Sequence, residues 1–158
     1  MKQTPAQPGP RYHALIQLLR TAEALWNASR AFFARWELSP SQFNLLNVLT
    51  DQPDGLTQTE LGRELITHRS NITGLVDRLE QRGLVARRNV EADRRAYRVV
   101  LTAAGAALLR QILPHYHRAA EQAWGDLSAK RAAQIVADLA TVTETAARLA
   151  EQPLGKNS

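Results

Sequence analysis

The sequence of 158 residues contains no cysteine. Without a thiol, the chain has no disulfide bond, no cysteine-ligated zinc site and no thiol-based redox sensor. It also lacks an apolar run near the roughly 18 residues that a transmembrane helix needs. The first ten residues, MKQTPAQPGP, contain no apolar segment of a secretory signal. Together with the length, these absences predict one soluble intracellular domain with no membrane contact.

Lysine is scarce, with three residues against 17 arginines. The formal net charge is nevertheless +5, and the isoelectric point is about 10.2. A basic balance of this size favours a polyanionic partner such as a nucleic acid. The preference for arginine over lysine by itself identifies no target.

The chain also lacks the residue patterns of an enzyme. It has no phosphate-binding glycine loop and no cysteine nucleophile. His115 and His117 are two residues apart, so on a helix they project to different sides and are poor co-ligands. His13 and His68 are isolated in the sequence. The sequence therefore predicts no catalytic activity, no metal site and no cofactor.

Residues 57–105 have the pattern of two short helices followed by two strands. Thr57 and Glu60 form a capping box, in which each side chain bonds the backbone N–H of the other residue. The first helix has Leu61 and Leu65 as apolar positions. Gly83 is placed to end the second helix, whose predicted buried stripe is Ile72, Leu75, Val76 and Leu79. This layout predicts a helix-turn-helix.

The face of the second helix opposite that stripe is small and polar. It contains Ser70, Gly74, Asp77 and Gln81, with Asn71, Thr73 and Arg78 at its sides. Short hydroxyl and amide side chains can bond base edges and phosphates, and a glycine lets the backbone approach closely. A merely solvated helix surface would more often carry long lysine and glutamate side chains. We therefore predict that this face reads DNA.

A basic hairpin follows the second helix. Residues 84–88 and 97–101 have strand composition, and residues 89–96 form the predicted loop. Between residues 82 and 98 there are six arginines and two acidic residues. A narrow A·T-rich minor groove concentrates negative potential, which a basic ribbon tip suits. The alternative to a DNA contact is that these basic residues only form a solvated hairpin tip.

Long amphipathic helices are predicted at both ends of the chain. Residues 11–36 carry an apolar face broader than one neighbour in a small domain could cover, which argues for a second contact surface. Ser39, Pro40 and Gln42 begin a short helix. Thr102 and Ser128 are the predicted caps of two C-terminal helices, and Pro114 is expected to bend the first of these. The predicted fold is mainly α, with a small two- to three-stranded β-wing.

Several segments resemble the MarR family of bacterial transcriptional regulators. They are Asp77-Arg78-Leu79-Glu80, Arg82-Gly83-Leu84-Val85, Asp93-Arg94-Arg95 and Val99–Gly105, which match the family's D-R-L-E, R-G-L-V, D-R-R and L-T-x-x-G patterns in order. The resemblance implies one integrated domain of a cytoplasmic, nucleoid-associated protein from a bacterium or archaeon. Its parts are a disordered arm over residues 1–10, dimerisation helices over 11–37 and 103–152, and a winged helix-turn-helix over 38–102.

The family resemblance also implies a function. It predicts a homodimer that binds a pseudo-palindromic double-stranded DNA operator and represses transcription until a small molecule weakens binding. In the wing, Asp93 is expected to orient neighbouring arginines and Arg95 to enter the minor groove. With the polar helix face, the predicted DNA contacts are His68, Arg69, Ser70, Asn71, Thr73, Gly74, Arg78, Arg87, Arg88, Asp93, Arg94 and Arg95.

A ligand site is predicted where the dimerisation helices meet the winged region, because similar regulators respond to phenolic or other aromatic anions. Trp26, Arg30 and Phe33 share one side of the first helix, and Phe43 follows on the next. Two aromatic faces and a guanidinium suit a small aromatic carboxylate. The alternative is that the aromatic residues are core and Arg30 makes a structural ion pair.

Two other functions remain open at this stage. One is a constitutive or architectural DNA-binding protein with no effector. The other is an interaction module that uses the winged fold to bind protein. The basic wing and the small polar helix face argue against the second.

Overall fold

The computed structural model describes residues 8–65, 72–90 and 93–151, with the side chains of residues 90 and 93–96 excepted. The predicted arm over residues 1–10 lies mostly outside this range. The fold is mainly α with a small antiparallel sheet, as predicted. Its helices are α1 Pro10–Phe33, α2 Pro40–Val48, α3 Gln58–Glu64, α4 Ile72–Gln81, α5 Ala103–Ala123 and α6 Ala129–Glu151, and its strands are β1 Leu56–Thr57, β2 Val85–Val90 and β3 Asp93–Leu101.

The chain divides into two compact units, Met1–Gln111 and Ile112–Ser158. The first unit contains α1 to α4, the sheet and the beginning of α5. The second contains the rest of α5 and all of α6. The first unit carries the predicted DNA-binding residues and the predicted ligand residues.

Two helices begin as the capping boxes predicted. The Ser39 hydroxyl accepts a hydrogen bond from Gln42 N at 3.2 Å, and Ser39 N donates to Gln42 Oε1 at 2.8 Å. Thr57 N donates to Glu60 Oε2 at 2.7 Å, while the Thr57 hydroxyl accepts from Glu60 N. The hydrogen bonds from Thr57 hold the pKa of Glu60 below its ordinary value. These local bonds fix where α2 and α3 start.

The predicted helix over residues 11–36 ends early. Its α-helical part stops at Phe33, and a single 3₁₀ turn covers Ala34–Trp36. Glu37 has a positive φ of 54°, and Leu38 N donates back to Phe33 O at 3.2 Å. This left-handed residue turns the chain toward α2.

The recognition-helix candidate α4 ends at Gln81, and Gly83 just beyond it terminates the helix, as predicted. Gly83 has φ +67°, which glycine adopts at little cost. Gly83 N donates to Glu80 O at 2.8 Å, and Leu84 N donates to Leu79 O at 2.9 Å. These two bonds form a Schellman motif that stops α4 directly before β2.

The sheet has the order β1-β3-β2, and all its pairs are antiparallel. Leu56 pairs with Val99, and Val85 pairs with Leu101. The hairpin is longer than the predicted strands of residues 84–88 and 97–101. Asp93, Arg94 and Arg95 therefore belong to the backbone of β3 rather than to a loop. A register shift occurs between Asn89 and Val90.

The two C-terminal helices begin at the predicted caps. The Thr102 hydroxyl accepts from Gly105 N at 3.0 Å, and the Ser128 hydroxyl accepts from Arg131 N at 3.3 Å. Pro114 lies inside α5, and the helix continues through it. No residue of α6 is buried; Ile135 and Leu139 are half-buried, and Val136 and Leu149 are exposed.

The core of the first unit lies between α2, α3, α4 and the sheet. Phe33 from the end of α1 stacks on Phe43 of α2, with ring centroids 4.2 Å apart. The fully buried residues at its centre are Leu45, Leu46, Leu61, Val76, Leu79 and Val99. This packing holds α4 by its apolar stripe and leaves its polar face outward.

Candidate DNA-binding surface and an adjoining cleft

Helix α4 is amphipathic in the predicted register. Its stripe of Ile72, Leu75, Val76 and Leu79 is buried. On the other side, Thr73, Arg78 and Gln81 are exposed, while Gly74 and Asp77 are half-buried. The helix thus presents its small polar face to solvent. His68, Arg69, Ser70 and Asn71 lie outside the described residues.

One residue of this face is bonded to the preceding helix. Gln58 Nε2 of α3 donates to the Thr73 hydroxyl oxygen at 2.6 Å. The Thr73 hydroxyl hydrogen remains able to donate to an acceptor on DNA. The bond links the beginning of α3 to the first turn of α4.

Arg87 has partners that the sequence did not predict. Its guanidinium is paired with the carboxylates of Asp77 and Glu80 on α4, and it lies 4.9 Å from the centre of the Tyr97 ring. Its backbone N also donates to Glu80 Oε1 at 3.0 Å. Burial opposes the charge of this guanidinium, but its acceptors raise its pKa above the ordinary value. In this arrangement the Arg87 side chain joins β2 of the wing to α4.

Two further arginines of the basic segment are bonded within the protein. Arg82 donates to Glu37 O at 2.7 Å and to Trp36 O at 3.1 Å. Arg98 donates to Gly55 O at 2.7 Å, and its Nη2 lies 3.3 Å from Glu60 Oε2. These bonds tie the end of α4 to the turn after α1, and β3 to the turn before β1. The charge count alone did not distinguish these arginines from the others.

The remaining basic residues of the wing are Arg88, Arg94 and Arg95. Arg88 is exposed on β2, and its side chain has no hydrogen-bond or ion-pair partner among the described residues. For Asp93, Arg94 and Arg95 the backbone lies in β3, while their side chains fall outside the described part of the chain. The predicted roles of these three residues stay predictions.

The predicted ligand residues separate into two pairs. Trp26 and Arg30 line an open cleft of about 500 Å³, together with Ser39, Pro40, Ser41, Gln42, Leu75 and Arg78. Phe33 and Phe43 are not among its lining residues, because they stack on each other in the core and are 2% and 4% exposed. Of the aromatic rings predicted to surround a ligand, only that of Trp26 therefore lines this cleft. The sequence did not predict that Arg78 contributes to the same cleft.

The described residues contain no group of three or more histidine, cysteine, aspartate or glutamate side chains that could hold a metal ion. Within the same ranges, no helix is both long and apolar enough to cross a membrane.

Comparison with known proteins gives a family and several relatives. The model of the MarR family matches residues 36–96. The HTH-type transcriptional regulator PapX of Escherichia coli is 28% identical over 126 residues, which cover 78% of this chain and 76% of PapX. The transcriptional repressor MprA of Escherichia coli K12 is 34% identical over 84 residues, 53% of this chain and 48% of MprA. The match thus spans about half of the MprA chain.

Solved structures share the fold. A probable transcriptional regulator from Pseudomonas aeruginosa is 30% identical with a TM-score of 0.68, covering 79% of this chain and 93% of that one. Sco3205 of Streptomyces coelicolor, a MarR family regulator solved in complex with DNA, is 23% identical with a TM-score of 0.80, covering 91% and 92%. BpsR of Bordetella bronchiseptica, whose DNA binding is regulated by 6-hydroxynicotinic acid, is 23% identical with a TM-score of 0.76, covering 89% and 98%.

Proposed function

The chain belongs to the MarR family of transcriptional regulators, which are not enzymes, and from that premise we propose that it is a homodimeric repressor. It binds a pseudo-palindromic operator through α4 and the β2–β3 hairpin. A small aromatic or phenolic anion releases it. The observation that carries the DNA-binding proposal is the orientation of α4. The core holds this helix by its apolar stripe, so that its small polar face points outward beside a basic hairpin.

The proposed DNA contacts fall into two groups. On and before α4, side chains reach base edges and nearby phosphates in the major groove. On the hairpin, Arg88 and Arg94 neutralise phosphates, while Arg95, oriented by Asp93, enters the minor groove. Arg87 acts indirectly, because its pairing with Asp77 and Glu80 holds the hairpin against the helix. The first group comprises His68, Arg69, Ser70, Asn71, Thr73, Gly74 and Arg78.

A gel shift with DNA upstream of the chain's own gene, followed by footprinting, tests this function. A regulator gives binding that resists nonspecific competitor DNA and protects two half-sites about one helical turn, ~34 Å, apart. Binding that competitor DNA removes completely would contradict the proposal. An architectural protein would bind without a protected palindrome, and a protein-interaction module would not bind at all.

The proposed wing contact gives a salt-dependent prediction. Arg95→Ala should weaken operator binding. The plot of the logarithm of the association constant against the logarithm of the salt concentration should also become shallower, by about 0.9 in slope for each phosphate that the variant no longer neutralises. The measurement is fluorescence anisotropy with labelled operator at several salt concentrations. Arg118→Ala, at an exposed position of α5 with no assigned role in DNA binding, is the control. A folded Arg95→Ala variant with the wild-type affinity and slope would refute the contact.

Apolar side chains exposed on the single chain support the proposed dimer. On α1, Leu15, Leu19 and Leu25 are 50%, 58% and 51% exposed. On α6, Val136 and Leu149 are 62% and 64% exposed. Large apolar side chains on two long helices are costly to leave in water. A second copy related by two-fold symmetry can cover them.

Charge placed on this apolar face should therefore break the dimer. Leu19→Glu is expected to shift the protein from dimer to monomer at micromolar concentration in sedimentation velocity, because a carboxylate would be buried without a partner. Ala24→Glu adds the same charge on the opposite side of α1 and should leave the dimer intact. If the wild-type chain sediments as a stable monomer, or if both variants dimerise equally well, the proposed interface is wrong.

The proposed effector is a small aromatic or phenolic anion. The open cleft beside Trp26 and Arg30 has a volume in the range of small-molecule sites, about 300–1,000 Å³. BpsR, which shares the fold, is regulated by an aromatic carboxylic acid. An anion that binds the state unable to hold DNA more tightly would shift the population toward that state.

A further inference from the structure

The segment directly after α4 is bonded to residues that adjoin two other helices. Arg82 Nη1 donates to Glu37 O at 2.7 Å and Arg82 Nη2 donates to Trp36 O at 3.1 Å, in the turn that follows α1. The Thr102 hydroxyl, directly before α5, donates to Gly83 O at 2.7 Å. Two consecutive residues after α4 are therefore attached, one to the end of α1 and the other to the beginning of α5.

The attachment to α1 depends on a single guanidinium, that of Arg82. Carbonyl groups at the end of a helix lack partners within the helix and carry partial negative charge, so they attract a cation. A guanidinium is planar and presents its N–H groups in a fixed arrangement, so it can hold two neighbouring carbonyls at once. Arg82 is exposed, and these hydrogen bonds rather than core packing hold its side chain. Two bonds from one rigid group resist a tilt of α4 more than one bond does.

The attachment to α5 requires a close approach. Thr102 N donates to Leu84 O at 3.2 Å, and the Thr102 hydroxyl oxygen accepts from Gly105 N at 3.0 Å. A Cβ on Gly105 would lie 2.1 Å from Leu84 O, so the absence of a side chain there lets the first turn of α5 contact the chain after α4. The end of α4 is thus held closely against the beginning of α5.

Farther from this end, α1 and α4 are joined less closely. Both helices line the open cleft of about 500 Å³, with Trp26 and Arg30 from α1 and Leu75 and Arg78 from α4. An open cleft provides no packing between its walls. The position of α4 relative to α1 therefore depends strongly on the two hydrogen bonds of Arg82.

This position matters for DNA binding by the proposed homodimer. The distance between the two copies of α4 must match the distance between two half-sites on DNA. Helix α1 belongs to the proposed dimer interface, and each α4 is attached to the α1 of its own subunit. How firmly α4 is held relative to α1 therefore decides how strictly the dimer requires one half-site spacing.

We propose that Arg82 is a positioning residue that makes the dimer selective for one half-site spacing. Its two bonds hold the end of α4 at the end of α1, so that the two copies of α4 keep one separation. This inference rests on the proposed function. It implies that Arg82 controls the discrimination between operators of different spacing, whereas the affinity for a single half-site does not depend on Arg82.

The test compares three labelled duplexes by fluorescence anisotropy, using the intact protein. They are the footprinted operator, the same operator with one base pair inserted between its half-sites, and a duplex that contains one half-site. The inserted base pair moves one half-site by about 3.4 Å and rotates it by about 35°. The spacing ratio is the affinity for the operator divided by the affinity for the inserted operator.

Wild type should have a spacing ratio of about ten or more, comparable with the effect of a mismatched base pair. Arg82→Ala should lower this ratio about two- to tenfold, the range expected when a typical hydrogen bond is lost. Its affinity for the single half-site and the salt dependence of that binding should equal those of wild type, because the Arg82 guanidinium contacts protein carbonyls and not phosphates.

Two further variants separate the bonds from the charge. Arg82→Lys keeps the charge, but an ammonium lacks the planar pair of N–H groups that holds both carbonyls, so its spacing ratio should also fall. Arg35→Ala removes a charge from the same turn after α1, where the Arg35 guanidinium lies 5.6 Å from the centre of the Phe32 ring. This matched control should keep the wild-type ratio.

Several outcomes would refute the positioning role of Arg82 while a DNA-binding regulator stands. These are a wild-type chain that binds both spacings equally, a folded Arg82→Ala variant with the wild-type ratio, or a ratio that falls in Arg82→Ala but not in Arg82→Lys. Weaker binding of Arg82→Ala to the single half-site with a shallower salt dependence would assign Arg82 to a phosphate contact instead. Absence of specific DNA binding by wild type would refute the proposed function itself.

Discussion

Gly55→Ala is expected to destabilise the protein far more than Gly83→Ala, although both glycines have a positive φ, +72° and +67°. A Cβ on Gly55 would lie 2.4 Å from Val99 O and 2.6 Å from Val100 Cγ1, whereas a Cβ on Gly83 would meet nothing within 4 Å. Both variants incur the cost of a left-handed alanine, about 1–2 kcal/mol. Gly55→Ala adds a clash with backbone, about 1–3 kcal/mol or more.

The measurement is the free energy of unfolding in urea, at one fixed protein concentration because a dimer's stability depends on it. Gly83→Ala isolates the backbone cost, so the difference between the two variants is the cost of the clash. That clash acts where β1 meets β3, since Leu56 pairs with Val99. Equal losses in the two variants would mean that the turn at Gly55 can move away from β3.

Features set by neighbours in the sequence were predictable. The capping boxes of α2 and α3 each involve residues three apart, so the sequence shows both partners at once. The apolar stripe of α4 repeats at helical spacing, and Gly83 follows it at the position of a Schellman glycine. In each case the residues that determine the structure are no more than about two turns apart. The starts of α2 and α3, the end of α4 and its outward face were therefore predicted correctly.

Features that depend on distant partners were not predictable. Arg82 and Arg98 bond carbonyls that are 45 and 43 residues away, and no local pattern reveals such partners. Arg87 pairs with Asp77 ten residues earlier, across the turn from helix to strand. The sequence contained one indication, since Asp77 and Glu80 place two acids near the end of a helix proposed to face a polyanion. Acids there suggest that a nearby arginine is needed to neutralise them.

In the candidate ligand site, the environments of the aromatic residues also depend on distant partners and could not be predicted from the sequence. Trp26, Arg30 and Phe33 share a side of α1, and the sequence allowed either a ligand pocket or a core for the aromatic members. The structure divides them, because the chain turns at Glu37 and brings Phe43 onto Phe33. Trp26, two turns earlier, remains at the surface beside the cleft. Only the packing of α1 against α2 distinguishes these two environments.

Gly74→Leu is expected to abolish specific operator binding while the protein stays folded. Gly74 is half-buried and lies in the middle of the predicted polar face of α4, where the proposed contacts require the backbone to approach DNA closely. A leucine side chain would hold the helix away from the groove. Operator affinity should then fall toward the nonspecific level, a loss of about a thousandfold or more. Anisotropy with the footprinted operator measures the loss.

The free energy of unfolding of Gly74→Leu should not fall together with its operator affinity. This separates the loss of a DNA contact from misfolding. Leucine favours a helix over glycine by up to about 1 kcal/mol, so the free energy of unfolding should be equal or higher. Gly74→Ala gains a similar amount of helix stability but adds only one methyl group, so it should retain much more of the operator affinity. A Gly74→Leu protein that binds the operator tightly would mean that another face of α4 meets DNA. Loss of binding together with a lower free energy of unfolding would show that Gly74 is needed for packing instead.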